Sequence, residues 1–322
     1  MAEIMTYSAA RTRTWNEEMR RDPTIFFMTR SGPNKGRVEE FGWEREKYTT
    51  SGIAETQICG AGLGAAIAGL RPIVDVGYGD FYMDAWGQLV LQAAKQRFKM
   101  AYTIEIPVVY CITYGGILQP TIHHSGQYHN WLANSPGLIV TVPTTPRDAV
   151  GLWRTALRDA KDPVCMLRDR SVGKVEGPVP DALSFQIPFG VGDVKRKGSD
   201  VTIAAVGHYV HRALEVAEDL ANEGIDAEVW DPRCLLPFDR ASLVKSVKKT
   251  GAMVVVDSAP KTFGTTGEFM ATVAEALTPV PPMARCACKD VPVGASPPLR
   301  EWQYPNNKWI ASAVKDVLKR KG

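Results

Sequence analysis

SGIAETQICGAGLGAAIAGLRPIVDV, residues 51 to 76, holds the choice between two α/β readings of the chain. Gly60, Gly62 and Ala65 satisfy the G-x-G-x-x-A spacing of a dinucleotide fingerprint, with Asp80 about twenty residues on. That fingerprint requires a buried strand running straight into its first glycine. The segment Gly52 to Cys59 is too short for one and too polar, at Glu55 and Gln57. The small residues from Gly60 to Gly69 are therefore read as one helix face that packs tightly against another helix or subunit. The run Ile73 to Val76 then follows as a buried strand.

Outward from this stretch the same alternation repeats. Apolar runs at Thr24 to Met28, Val108 to Ile112, Leu138 to Val142 and Val164 to Leu167 read as strands. Between them, Ala85 to Phe98 repeats Trp86, Leu89, Val90, Ala93 and Ala94 at helical spacing. Thr145-Pro146-Arg147-Asp148 is a capping pattern, followed by Ala149, Val150, Trp153, Ala156 and Leu157 on one face. Periodicity lapses over Gly173 to Ser199, rich in Gly and Pro, which is read as a linker. A second alternation then opens with Val201 to Val206 and a helix stopped at Gly224. It continues through strands Ala227 to Asp231 and Met253 to Asp257, with a helix Ser242 to Lys249 between them and a closing helix from about Trp309 to Leu318. The expectation is an α/β protein of two three-layer α/β/α domains with mostly parallel sheets, 1–185 and 200–322.

Composition narrows the function. At 322 residues and 45% hydrophobic content the chain can build two cores. A formal charge of +3 argues against nucleic acid or an anionic membrane surface as principal partner. The N-terminal stretch carries acidic residues and lacks the apolar centre of a signal peptide, and no apolar run is long enough to span a bilayer, so the expected location is the cytoplasm. Six scattered cysteines read as reduced and structural, and Cys286-Ala287-Cys288 is too tight for a zinc pair.

Few side chains suggest chemistry. Glu55 stands between a turn, Thr49 to Gly52, and an apolar small-residue helix, where a carboxyl can share a proton with a heterocycle or cap backbone amides. His123-His124-Ser125 follows a Gly/Pro-rich segment beyond a strand, the place where α/β proteins bind ligands. One of these histidines could serve as acid/base or as a structural group. Adding His129 does not make a metal site, because its spacing from His124 does not share a helix face and no carboxylate is near in sequence. His208 and His211 read as helix-start or interface residues. No G-x-S-x-G, P-loop or H-E-x-x-H pattern occurs.

Taken together, SGIAETQICGAGLGAAIAGLRPIVDV, GDFYMDAWGQLVLQAAKQRFKM, IHHSGQYHNWLANSPGLIVTVPTTPRDAVGL and the run from GSDVTIAAVG through AEVWDPRCLLPFD to KKTGAMVVVD carry a resemblance over nearly the whole chain. They resemble the beta subunit of the thiamine-diphosphate-dependent decarboxylating component of 2-oxo acid dehydrogenases, the pyruvate, branched-chain and acetoin enzymes. The resemblance implies a pyrimidine-binding domain followed by a transketolase C-terminal domain. It implies that Glu55 hydrogen-bonds the aminopyrimidine and promotes its imino tautomer, that Phe81 packs on the ring with Ile53 as an apolar neighbour, and that His124 orients or protonates intermediates and serves acyl transfer to lipoyl groups. The family holds the cofactor's diphosphate through Mg2+ on a G-D-G to Asn-Asn motif, which this chain lacks. It therefore implies an alpha-type partner in an α2β2 assembly, a possible lipoyl acyltransferase core, and a 2-oxo acid or acyloin substrate. A structural K+ site would fall near the Ala156 to Asp162 loop, where the length differs by one residue.

Departures touch the substrate pocket. Gly77 stands where a Gln or Met is usual near the ring, Gly126 where Gln is usual, and Met28-Thr29-Arg30 replaces an acidic Gly-Glu-Asp. The Ile117 to Thr121 loop, with Gln119, replaces a glycine-rich one. The expectation is a pocket reshaped by Gly77, His123 and Gln119, enlarged beside the ring. Two other readings are a split transketolase-like enzyme or carboligase without a dehydrogenase complex, and a non-catalytic assembly subunit.

Overall fold

The computed structural model describes residues 3–30, 48–115 and 122–321. Contacts divide the chain into one unit of residues 1–114 with 131–189 and another of 115–130 with 190–322.

In the first unit the strands are β1 (Glu3–Thr6), β2 (Ile25–Thr29), β3 (Tyr48–Thr50), β4 (Arg71–Tyr78), β5 (Val109–Tyr114), β6 (Ile139–Thr141), β7 (Val164–Asp169) and β8 (Glu176–Val179). Six of them run in the order β6-β7-β5-β4-β2-β3, every pair parallel. Parallel strands covered on both faces read as continuous apolar runs, and Ile73, Val74 and Val76 of β4 are all fully buried. β1 and β8 form a separate antiparallel ribbon.

The helix Tyr7–Arg21 is capped by the Thr6 hydroxyl, which accepts from Ala9 N–H at 3.2 Å, and packs on the helix Pro146–Arg158. Trp15 lies 5.0 Å, centroid to centroid, from both Phe27 and Trp153. Burying each such ring contributes roughly 1.5–3 kcal/mol. The small-residue helix, Glu55–Ile67, packs closely on both a helix, as expected, and a strand. A Cβ on Gly60 would stand 3.3 Å from Gln88 Cγ in the helical segment Gly87–Ala93, and one on Gly62 2.4 Å from Val74 Cγ2 of β4, while one on Gly64 would meet nothing within 4 Å. The helix expected over Ala85 to Phe98 begins as a π-helical segment, Gly87–Ala93, before Ala94–Lys99. Its i→i+5 turns break the three-and-four phase, so Leu89, Ala93 and Ala94 are buried while Trp86 and Val90 are half-buried.

In the second unit the strands are β9 (Asp193–Arg196), β10 (Val201–Ala205), β11 (Ala227–Asp231), β12 (Cys234–Leu236), β13 (Met253–Pro260) and β14 (Met283–Cys288). The sheet order is β14-β13-β10-β11-β9, parallel except for the edge strand β9. The two-residue alternation of β10 sorts its faces. Val201, Ile203 and Ala205 join the cluster made with helices Tyr209–Ala221 and Asn307–Lys321. Thr202 turns to the other face, within 2.8 Å of Ser246 Oγ and 2.7 Å of Thr250 Oγ1 on the helix Arg240–Thr250. That layer also holds the helix Thr265–Ala276, through Phe269 against Phe238 and Trp230.

The stretch 173–199 is not only linker, since it contains β8 and β9. Four-residue strands at an edge or in a ribbon bury too little to impose a period on the sequence. No helix among the described residues is long and apolar enough to cross a membrane.

Candidate active site

The first unit gathers several of the expected residues at the carboxyl ends of its central strands. Parallel pairing sets Met28 of β2 opposite Val74 of β4, which brings the chain leaving β2 at Arg30 alongside the last residues of β4. There the β4–β5 register slips between Asp75 and Gly77, and Asp75 Oδ1 accepts from the Gly77 N–H at 3.0 Å. Gly77 has φ +78°, and a Cβ on it would stand 1.9 Å from Arg30 Nη2. The guanidinium therefore occupies the volume the glycine leaves. The space freed at Gly77 is thus taken from within the chain, and a cavity of about 540 Å³ opens beside Gly77 and Arg30.

Arg30 Nη1 reaches onward to donate to Glu55 Oε1 at 3.3 Å. Glu55 is the first residue of its helix and only 6% exposed. A carboxylate there complements the helix dipole, and the arginine compensates its burial. The adjoining Thr56 hydroxyl donates to Asp84 O at 2.5 Å, tying the helix start to the segment just after the turn Gly79–Met83. That turn carries Phe81, half-buried and edge-on to Tyr78 at 6.3 Å. Immediately before the helix, Ile53 is 82% exposed. A buried carboxylate, a half-buried aromatic ring and an accessible aliphatic side chain fit a flat heteroaromatic ring bearing an amine.

The remaining expected residues belong to the second unit or fall outside the described residues. His123, exposed, and His124, half-buried, sit on the short turn Ile122–His124 in the second unit. Gln119 and the rest of its loop from residue 117 to Thr121 fall outside the described residues. His129 is buried, with Nε2 at 2.9 Å and 3.0 Å from the two oxygens of Asp257. Thr265 donates its hydroxyl to the same carboxylate. Burial pushes Asp257 up, but the adjacent imidazole, these hydrogen bonds and the Ala259 N–H outweigh it and hold the acid below its ordinary range. Among the described residues no group of three or more His, Cys, Asp or Glu side chains is disposed to hold a metal. His208 Nε2 accepts from Arg212 at 3.3 Å, at the start of the helix Tyr209–Ala221.

The cysteines are free and buried, and burial pushes the Cys165, Cys286 and Cys288 thiols up to about 12. Thiols held protonated in this way do not supply a nucleophile.

Two features escaped the sequence reading. Arg30 was visible only as a departure, not as the partner of Glu55. Arg168 and Arg170 at the end of β7 went unremarked, although charge at the carboxyl end of a buried strand is a signal for a ligand face.

The chain matches two family models: the transketolase pyrimidine binding domain over residues 3–174 and the transketolase C-terminal domain over residues 190–310. It is 34% identical to the 2-oxoisovalerate dehydrogenase subunit beta of Bacillus subtilis (strain 168), over 98% of each chain. It is 32% identical to an acetoin:2,6-dichlorophenolindophenol oxidoreductase subunit beta of Cupriavidus necator, over 99% of each. With the mitochondrial pyruvate dehydrogenase E1 component subunit beta-1 of Arabidopsis thaliana it shares 35% identity, over 99% of this chain and 91% of the other. A solved structure described as a split gene transketolase, inactive beta4 tetramer, superposes with a TM-score of 0.80 at 24% identity over 99% of both chains, which shows the shared fold. The chain belongs to the transketolase-like beta subunits of the 2-oxo acid and acetoin dehydrogenase type, built from a pyrimidine-binding domain and a transketolase C-terminal domain.

Proposed function

We propose that this chain is the beta-type half of a thiamine-diphosphate enzyme that decarboxylates a 2-oxo acid, or cleaves an acyloin, and passes the acyl unit to a lipoyl or carbonyl acceptor. The observation that carries this reading is Glu55, a carboxylate 6% exposed on the first turn of its helix, with Ile53 82% exposed just before it. When bound, thiamine diphosphate supplies the acidic ring carbon and electron sink for carbon–carbon cleavage. Glu55 would hydrogen-bond the aminopyrimidine and hold or release a proton at a carboxylate oxygen. Arg30, 3.3 Å from Oε1, positions that carboxylate. Phe81 and Ile53 are the side chains that would hold the ring. His124 is the residue of the second unit assigned to orient or protonate the reacting group.

An alpha-type partner in an α2β2 assembly would carry the diphosphate and its Mg2+, consistent with the missing G-D-G to Asn-Asn motif. A lipoyl acyltransferase core, a structural K+ near the Ala156 to Asp162 loop and a cytoplasmic location complete the reading.

Coexpression with an alpha-type partner provides the test. Thiamine-diphosphate-dependent release of CO2 from 2-oxo acids, or cleavage of acetoin, is expected, and Glu55→Gln should lower kcat by about 10²–10⁴ while the heteromer still assembles. Unchanged turnover in that variant would reduce the chain to an assembly subunit. Acylation of a free lipoyl domain separates a dehydrogenase component from a carboligase, which should show none.

A further inference from the structure

We infer that the carboxyl ends of β2, β4, β5 and β7 form a second ligand site in the first unit, one that takes a small dianionic oxyanion. A cavity of about 540 Å³ opens there, lined by Arg30, Arg168, Arg170 and Lys174 against the single carboxylate of Asp75. Four cationic side chains facing one acid leave the cavity strongly positive. One oxygen of that acid already accepts the Gly77 N–H.

The guanidiniums are held mainly by neutral partners. Arg168 Nη2 donates to Thr113 Oγ1 at 2.9 Å. Arg170 Nη1 donates to the Tyr78 hydroxyl at 3.3 Å, with its guanidinium carbon 5.6 Å from the centre of that ring. Among the described residues Arg30 alone of the three guanidiniums meets a carboxylate, that of Glu55, and the contact is a long 3.3 Å. The Nε atoms of Arg30 and Arg168 are buried and meet no acceptor among the described residues. Buried donors are normally satisfied, so two orphaned guanidinium nitrogens on the wall of one cavity point to an acceptor that arrives from outside. Planar guanidinium forks suit the paired oxygens of a phosphoryl group or a carboxylate, and a lysine adds an adaptable point charge. A dianion answers this balance better than a single carboxylate.

Calorimetric titration of the full chain with inorganic phosphate, and separately with malonate, tests the site. Saturable binding of at least one is expected, weakening with added salt. A preference for phosphate assigns a phosphoryl group, and a preference for malonate assigns a dicarboxylate. Arg168→Gln and Arg170→Gln should each raise Kd by about tenfold or more, with the far-ultraviolet circular dichroism unchanged. Should the Arg168 variant fail to fold, Arg168→Lys keeps the charge, loses the fork, and should still weaken binding. Lys319→Gln, on an exposed helix end, should leave Kd as it is. Glu55→Gln should retain binding while lowering the turnover proposed above, so the two readings fail separately. Absence of saturable binding by either probe, or equal affinity in the Arg168 and Arg170 variants, overturns the inference.

Discussion

Gly77 decides what can stand beside Glu55. Its φ of +78° is a conformation that a side chain strains, and the missing Cβ is the space into which Arg30 reaches. Gly77→Ala is therefore expected to cost about 1–3 kcal/mol, partly as backbone strain and partly by pushing the guanidinium off Glu55. Urea unfolding measures the total. In an Arg30→Met background the same substitution should cost less, since a flexible apolar chain gives way, and the double-mutant cycle isolates the shared part. A purely additive cycle would mean that the two residues do not form one feature. Sequence alone exposed Arg30 and Gly77 as separate departures. Their coupling was illegible because it depends on β2 and β4 lying side by side, which no local pattern records. The place of Glu55 between a turn and a small-residue helix leaves a proton-sharing and a capping reading open, and its assignment beside an aminopyrimidine comes from the family resemblance.

At the scale of single elements, legibility tracked how many levels of signal agreed. The helix Pro146–Arg158 combined a capping residue, Pro at its first turn and an apolar face, and Ala149, Val150, Trp153, Ala156 and Leu157 are all buried. Thr145 Oγ1 accepts from the Asp148 N–H at 3.1 Å while donating to the Asp148 carboxylate at 2.6 Å. Asp148 is fully buried and also accepts from the Thr144 hydroxyl at 3.3 Å. Thr145→Ala thus removes a cap and the shorter of these two hydroxyl contacts to a buried carboxylate. A loss of about 1–2 kcal/mol in urea unfolding is expected, the upper part of the range for N-caps. A loss near zero would show that water replaces the hydroxyl. Where the signals were single, the reading slipped. Helical spacing over Ala85 to Phe98 could not reveal a π-helical segment, whose hydrogen bonds shift the buried positions. Small residues in the helix Glu55–Ile67 announce a close approach to another helix, which Gly60 makes to Gln88, but not the closer one that Gly62 makes to Val74 of β4.

Across the whole molecule, each unit stakes stability on a buried carboxylate. In the first, Glu18 of the helix Tyr7–Arg21 is bound by Arg158 and Arg21. In the second, Asp257 is bound by His129 and Thr265. Burial pushes both acids up, yet the hydrogen bonds and neighbouring positive charge prevail, so both lie below their ordinary values of 4.5 and 3.8. A folded-state pKa lower than the unfolded one means that the unfolded chain binds protons first as the pH falls. The stabilisation is complete above the ordinary values and drains away below them, down through the depressed ones. The wild-type chain should therefore lose urea resistance steeply below about pH 4–5. Asp257→Asn has already lost the carboxylate that His129 and Thr265 hold by hydrogen bonds, so it should be markedly less stable at pH 7, where a buried polar partner left unmatched is costly. The gap between wild type and variant should then narrow as the pH is lowered from 5 to 3, because acid does to the wild type what the substitution did to the variant. Urea midpoints at pH 7, 5, 4 and 3 decide the matter, and a gap that stays constant or widens toward acid would remove Asp257 from the linkage.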